Sequence, residues 1–297
     1  MPPFSVINSR QPYFRERLRF WQDMGLRSSS GRSTNMAYDN RRLEKWDTTH
    51  RVNPLPDEIM PVSGTSIFNP VLCEILYKWF TVPQSRILDP FAGGFVRGAI
   101  ASLLGHSYVG FDVSEKQIKT NLDDYAELQN KVNFTDNTIW VCDTSDNIDK
   151  LVRDDFDMVL TCPPYYNLEV YSNNPLDIST LPTYKQFLAA YKDILVKTSS
   201  RLKQDSFFVI VVSDVRDKKT TEYLGFVSDT IHILRDYCKL QYYNEIIMYN
   251  DTGNLAITSG NYMNKARKVG RQHQNILVFY KGDITHIKDK FKPLSED

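Results

Sequence analysis

From Thr65 onward, short apolar runs alternate with stretches in which apolar residues recur at helical spacing. The runs predict strands over Arg86–Asp89, Ser107–Phe111, Thr138–Cys142, Phe156–Thr161, Phe207–Val212, Tyr242–Met248 and Asn275–Tyr280. The helical stretches predict helices near Pro70–Phe80, Arg97–Leu104, Ser114–Leu128, Tyr184–Leu202 and Tyr223–Tyr237. Strands rich in β-branched residues that alternate with helices predict an α/β fold with a doubly wound, seven-stranded, mostly parallel sheet. No helical pattern separates the last two strands, so they are expected to form a hairpin with one antiparallel member. In such a sheet, ligands sit beyond the carboxyl ends of the strands, near the topological switch point. Candidate chemistry is therefore sought in the residues that follow each strand.

Residues 1–64 read differently. They lack strand-like runs, and Arg10, Arg15, Arg17, Arg19, Arg27, Arg32, Arg41, Arg42, Lys45 and Arg51 stand against seven acids. Phe14, Leu18 and Trp21 predict one helix over Pro12–Met24, and Ser28–Asn35 reads as a loop. This basic extension is expected either to touch DNA phosphates, to contact a second copy in a homodimer, or to wrap the domain 65–297 as a solvated segment. Composition adds boundaries rather than function. The formal net charge is zero, so a nucleic-acid partner requires segregated charge. Four cysteines without Cys-x-x-Cys or Cys/His clustering predict no metal site and a reducing, cytoplasmic setting. No apolar run reaches membrane-spanning length and none forms a leader, so no membrane contact is expected.

The first predicted strand runs into Asp89-Pro90-Phe91-Ala92-Gly93-Gly94. Glycines at a strand-to-helix turn let a ligand approach the backbone, and the helix start offers unpaired N–H groups. The spacing is neither a dinucleotide fingerprint nor a phosphate-cradling loop. The next two strands end on Asp112 and Asp143. A carboxylate at the first of these positions can accept both hydroxyls of a ribose; at the second it can accept from an adenine amine. The fourth strand ends at Thr161 and is followed by Cys162-Pro163-Pro164-Tyr165, where two prolines force a stiff, extended exit.

Together these segments resemble the DNA amino-methyltransferases, whose cofactor motif commonly reads Asp-Pro-Phe-x-Gly-Ser-Gly and whose catalytic motif reads Asp/Asn/Ser-Pro-Pro-Tyr. The resemblance spans about Thr65 to Lys281. It is closest to compact phage and prophage modification methylases, with which Leu168–Ser172, Arg271–Asn275 and the stretch Phe20–Asn35 are also similar. It implies a Rossmann-like methyltransferase fold, S-adenosyl-L-methionine as cofactor, and double-stranded DNA as partner, as in restriction–modification. It further implies that Asp89, Pro90, Phe91, Ala92, Gly93 and Gly94 wrap the cofactor. Asp112 would hold its ribose and Asp143 its adenine, while Phe68, in Thr65–Pro70, would pack at its methionine end. Two positions depart from the pattern. Phe95 replaces a second glycine, and Cys162 replaces Asp, Asn or Ser.

The implied chemistry explains the residue types. An exocyclic amine is a poor nucleophile because its lone pair is delocalised into the ring. Two acceptors aimed at its hydrogens draw that pair out. In the family these are the first side chain of the motif and the first proline carbonyl, here Cys162 and Pro163, with Pro164 stiffening the exit. Tyr165 would stack on a flipped base. A neutral thiol is a weak acceptor, so Pro163 is expected to carry more of the burden. Cysteine is nearest to the serine of the cytosine-N4 enzymes, so N4-cytosine is preferred over N6-adenine. Tyr166, Asn167 and Glu169 follow as a lid or DNA contact. Between the last two strands, residues 250–274 carry Lys265, Arg267, Lys268 and Arg271 with no acid after Asp251, a pattern that suits a DNA-contacting loop. Competing readings are an RNA amino-methyltransferase, a carbon-5 enzyme with Cys162 as nucleophile, and a non-catalytic DNA-binding module on the same fold.

Overall fold

The structure, a computed structural model, describes residues 3–26, 68–134, 136–166, 174–250 and 255–293. Eight strands form one sheet: β1 (Val6–Asn8), β2 (Arg86–Asp89), β3 (Ser107–Asp112), β4 (Thr138–Cys142), β5 (Phe156–Thr161), β6 (Leu202–Val212), β7 (Gln241–Tyr249) and β8 (His273–Lys281). Their spatial order is β1-β7-β8-β6-β5-β2-β3-β4. Only β8 runs antiparallel, wedged between β6 and β7; every other pairing in the sheet is parallel. The carboxyl ends of seven strands therefore share one edge, as a doubly wound Rossmann-like sheet requires.

Helices α1 (Pro12–Asp23), α2 (Pro70–Phe80), α3 (Val96–Leu103) and α4 (Glu115–Lys131) contribute to one core cluster, on one face of the sheet. The second cluster takes in α5 (Ile148–Leu151), α6 (Tyr184–Ser200), α7 (Phe226–His232) and a π-helical turn at Ile233–Tyr237. α8 (Leu255–Ala266) lies between β7 and β8, and a last turn, α9, spans Ile287–Lys290. Local chemistry sets the starts. Asn69 Oδ1 accepts from the Val71 and Leu72 amides at 2.9 and 3.2 Å, with Pro70 at the first helical position. Ser114 and Thr183 cap α4 and α6 in the same way.

α2 is buried nearly all round because it is covered by α1. Its Glu74, inside that contact, accepts from Arg17 Nε and Nη2 at 2.7 and 2.8 Å and from Trp21 Nε1 at 2.8 Å, and pairs with Lys78 at 2.8 Å. Burial opposes its charge, but these donors hold the carboxyl below the usual range.

Two expectations are corrected. The sheet has eight strands rather than seven, because β1 pairs in parallel with β7, Val6 opposite Ile247. Three residues are too short to show a period, and their pairing is non-local. The second correction is that a helix does separate β7 and β8, although they are antiparallel partners as expected. Gly260, the amides and the β-branched residues of Leu255–Ala266 give it weak intrinsic propensity, which hid it. The DNA-contacting loop expected at 250–274 is thus largely a helix and its exit. The backbone at Phe95 does not call for a glycine. Phe95 is right-handed (φ −70°) and buried, and the left-handed residue is Gly93 (φ 51°).

Candidate active site at the carboxyl edge of the sheet

Asp89 ends β2 with its carboxylate fully buried. It accepts from Arg97 Nε at 2.6 Å, the Tyr108 and Thr161 hydroxyls at 2.7 Å each, and the Phe91 amide at 3.1 Å. Four donors fill the acceptor capacity of a carboxylate, so Asp89 organises the turn from beneath. Arg97, the second residue of α3, continues the work. Its Nη2 donates to the Phe91 and Ala92 carbonyls at 2.6 and 2.9 Å, and the Phe68 ring lies 4.5 Å from its guanidinium. Burial disfavours the charge on Arg97, yet Asp89 more than compensates and raises its pKa.

The rest of the turn is fastened just as closely. Ser145 Oγ donates to the Pro90 carbonyl, the Ala92 amide donates to Phe111 O at 2.8 Å, and the Gly93 carbonyl accepts from Asn121 Nδ2 at 2.7 Å. The Gly93 amide donates to Asp112 Oδ2 at 3.1 Å, while Ser114 N–H orients Oδ1 at 2.8 Å. Asp112 is half-buried beside the turn. Asp143, just past the end of neighbouring β4, is also half-buried, its Oδ1 held by the Thr144 amide at 2.6 Å and Asn147 Nδ2 at 3.1 Å. Two oriented carboxylates at adjacent strand ends, one of them bonded to a turn with a left-handed glycine, fit a nucleoside-bearing ligand. Among the described residues no cluster of three or more His, Cys, Asp or Glu could hold a metal ion.

β5 pairs directly with β2, so Cys162 and Pro163 emerge next to the turn. Cys162 is half-buried against the first core and Pro163 is buried. Pro164 is half-buried, and Tyr165 turns inward: it is 6% exposed and meets Phe226 edge-on at 6.1 Å. Tyr166 lies on the same aromatic cluster, 5.5 Å from Tyr184 and 5.6 Å from Phe187, and its hydroxyl donates to Pro182 O at 3.1 Å. Neither ring is an open platform in this arrangement. Asn167, Glu169 and the rest of the lid expected at 167–174, save Asn174, lie outside the described residues, as do residues 65–67 of the Thr65–Pro70 motif, the 28–35 loop and the boundary at 64.

The structure brings Arg271 to the edge, where its Nη1 donates to Ser213 Oγ at 2.8 Å, just past β6. Lys265 and Arg267 are exposed at the end of α8, Arg267 in the left-handed region (φ 51°) that closes the helix, and Lys268 is half-exposed. Several residues of the edge escaped sequence reasoning: Arg97, Tyr108, Asn121, Ser145 and Thr161. The one available signal was Arg97, the lone charge in the run Val96–Leu104.

No protein-family model matches the chain, and no curated protein sequence matches it. Solved structures superpose on part of the chain. TrmN from Thermus thermophilus superposes with a TM-score of 0.49 at 14% identity over 72% of this chain, which spans only 49% of that protein. A putative rRNA methylase from Clostridium thermocellum gives 0.45 at 17% identity, over 72% of this chain and 99% of its own. A putative methyltransferase from Streptococcus mutans in complex with SAH gives 0.42 at 15% identity, over 72% and 99%. The likeness is one of fold, and the fold itself is read from the strand order.

Proposed function

We propose that this chain is an S-adenosylmethionine-dependent methyltransferase that acts on an exocyclic amine of a flipped base in double-stranded DNA, N4 of cytosine before N6 of adenine. The observation that carries the reading is the hydrogen bond from Thr161 to Asp89, 2.7 Å long. It ties the root of the Cys162-Pro163-Pro164-Tyr165 exit to the root of the glycine turn, so two motifs seventy-two residues apart are fixed in one geometry. The cofactor supplies, when bound, a methyl group already activated on a sulfonium. The chain's part is positioning. Asp112 and Asp143 suit the ribose and adenine of the nucleoside, and Phe68, roofing Arg97, suits the methionine end. The buried Pro163 supports an acceptor carbonyl held rigidly for one amino hydrogen, with Cys162 beside it for the other. Stacking of Tyr165 on a flipped base would require its ring to leave the seat beside Phe226, and stacking would return part of the flipping cost of about a few kcal/mol.

Labelled-cofactor transfer to mixed duplex DNA and to RNA, followed by nucleoside mass analysis, tests the reading. The expected product is N4-methylcytosine or N6-methyladenine in DNA, with transfer kept by Cys162→Ser and lost by Tyr165→Ala while cofactor binding persists. Label in RNA alone, or no transfer by a protein that binds cofactor, overturns it.

A further inference from the structure

Past the end of β6, residues 213–225 fold back as a small hairpin in which Arg216 and Tyr223 are direct antiparallel partners. The Asp217 amide donates to Glu222 O and the Leu224 amide to Val215 O, each at 2.9 Å. Asp214 Oδ1 gathers the Gly225 and Phe226 amides at 3.0 Å each and so pins the hairpin to the start of α7. On this frame the Arg216 guanidinium lies 3.7 Å from the centroid of the Tyr223 ring, and that of Arg271 lies 5.3 Å from it. The two cations are therefore no farther apart than the sum of those distances.

Their partners within the chain are neutral. Arg216 Nη1 donates to Thr221 O at 2.9 Å, and Arg271 Nη1 donates to Ser213 Oγ at 2.8 Å. Among the described residues neither forms an ion pair with a carboxylate. Two guanidinium groups splinted to one ring without an acid repel each other, and an anion between them would relieve the repulsion. Planar guanidinium forks match phosphate oxygens in particular. The Tyr223 ring is 44% exposed, so the corner is open to a ligand.

Position selects the anion. β6 neighbours β5, and β2 lies one strand beyond. At the strand spacing of a sheet the end of β6, from which the corner rises, stands roughly 10 Å from the end of β2, and β5 with its Pro163–Pro164 exit lies between them. In the function proposed above, the methyl acceptor binds at that exit. We infer that Arg216, Tyr223 and Arg271 form a phosphate-binding corner that grips the nucleic-acid backbone next to the nucleotide being methylated. The inference rests on the nucleic-acid reading above and adds a site to it.

Fluorescence anisotropy of a short labelled DNA duplex, titrated across a range of salt concentrations, tests the corner. Each phosphate contact contributes about 0.9 to the slope of log K against log salt. Arg216→Gln and Arg271→Gln should each lower the slope, and the double variant by about one, the share of a single phosphate, with at least a tenfold loss of affinity at low salt. Tyr223→Phe should change nothing, because the ring is what orients the cations. Arg216→Lys with Arg271→Lys should keep the slope, which guards against a loss through misfolding, as do the melting temperature and cofactor binding of every variant. Arg235→Gln, an exposed arginine in the π-helical turn, is the control. A double-glutamine variant with the wild-type slope, or one no weaker than the Arg235→Gln control, overturns the corner alone. A wild-type protein that binds cofactor but no nucleic acid overturns both the corner and the proposed function.

Discussion

Removing a carboxylate and a guanidinium from water is expensive, and a buried pair repays the cost only when its remaining hydrogen-bonding groups are satisfied. Asp89 and Arg97 meet that condition through Tyr108, Thr161, the Phe91 amide and two turn carbonyls. Arg97→Met should therefore destabilise the protein by about 3–5 kcal/mol in urea unfolding, since it strands a buried carboxylate. Adding Asp89→Asn to that variant should recover part of the loss. His106 makes a second residue-level test. Its Nδ1 accepts from the Ser85 amide at 3.2 Å, so its Nε2–H donates to Thr81 Oγ1, also at 3.2 Å, and the Thr81 hydroxyl donates to Tyr77 O at 2.6 Å. The ring is built to be neutral, and burial lowers its pKa. The unfolded chain then binds the extra proton first as pH falls, so stability drops below about pH 6.5 until the folded value is passed. A His106→Gln variant should show a flatter dependence of melting temperature on pH across that window; an equally steep one would remove His106 from the account.

The strands were legible because each is a compact run of apolar, β-branched residues. Their end residues were legible because only those positions reach the ligand edge. What the sequence hid has a physical cause in each case. β1 gains its stability from a partner far along the chain, α8 has weak intrinsic propensity, and Arg97 is balanced by a carboxylate eight residues away. The inward seat of Tyr165 depends on Phe226, which no spacing pattern connects to it. At the level of elements, β3 must pass unusually close to the turn. A Cβ on Gly110 would lie 2.6 Å from the Tyr108 ring and 2.8 Å from Ala92 Cβ. Gly110→Ala should cost about 1–3 kcal/mol through overpacking, and by displacing Tyr108 from Asp89 it should weaken cofactor binding as well. Calorimetric titration with cofactor checks the second effect separately from the first.

Across the whole molecule, the first residues belong to the body of the fold. Phe14 and Trp21 of α1 are buried in the same core as α2, and Trp21 also serves Glu74. Trp21→Ala should lower stability by about 3–5 kcal/mol, whereas a solvated wrapper would change it by no more than about 0.5 kcal/mol; a denaturant midpoint distinguishes these outcomes. Among the described residues no helix is long and apolar enough to cross a membrane.

The pairing of Val6 with Ile247 also sets an order of events during synthesis. The strand at Val6–Asn8 leaves the ribosome before its partner, which follows 241 residues later, the difference between those two positions. At ordinary elongation rates of about 5–20 residues per second, that is a wait of roughly 12 to 50 s. Until then the strand has no edge to join, and β8, which ties β7 to the rest of the sheet, is made later still.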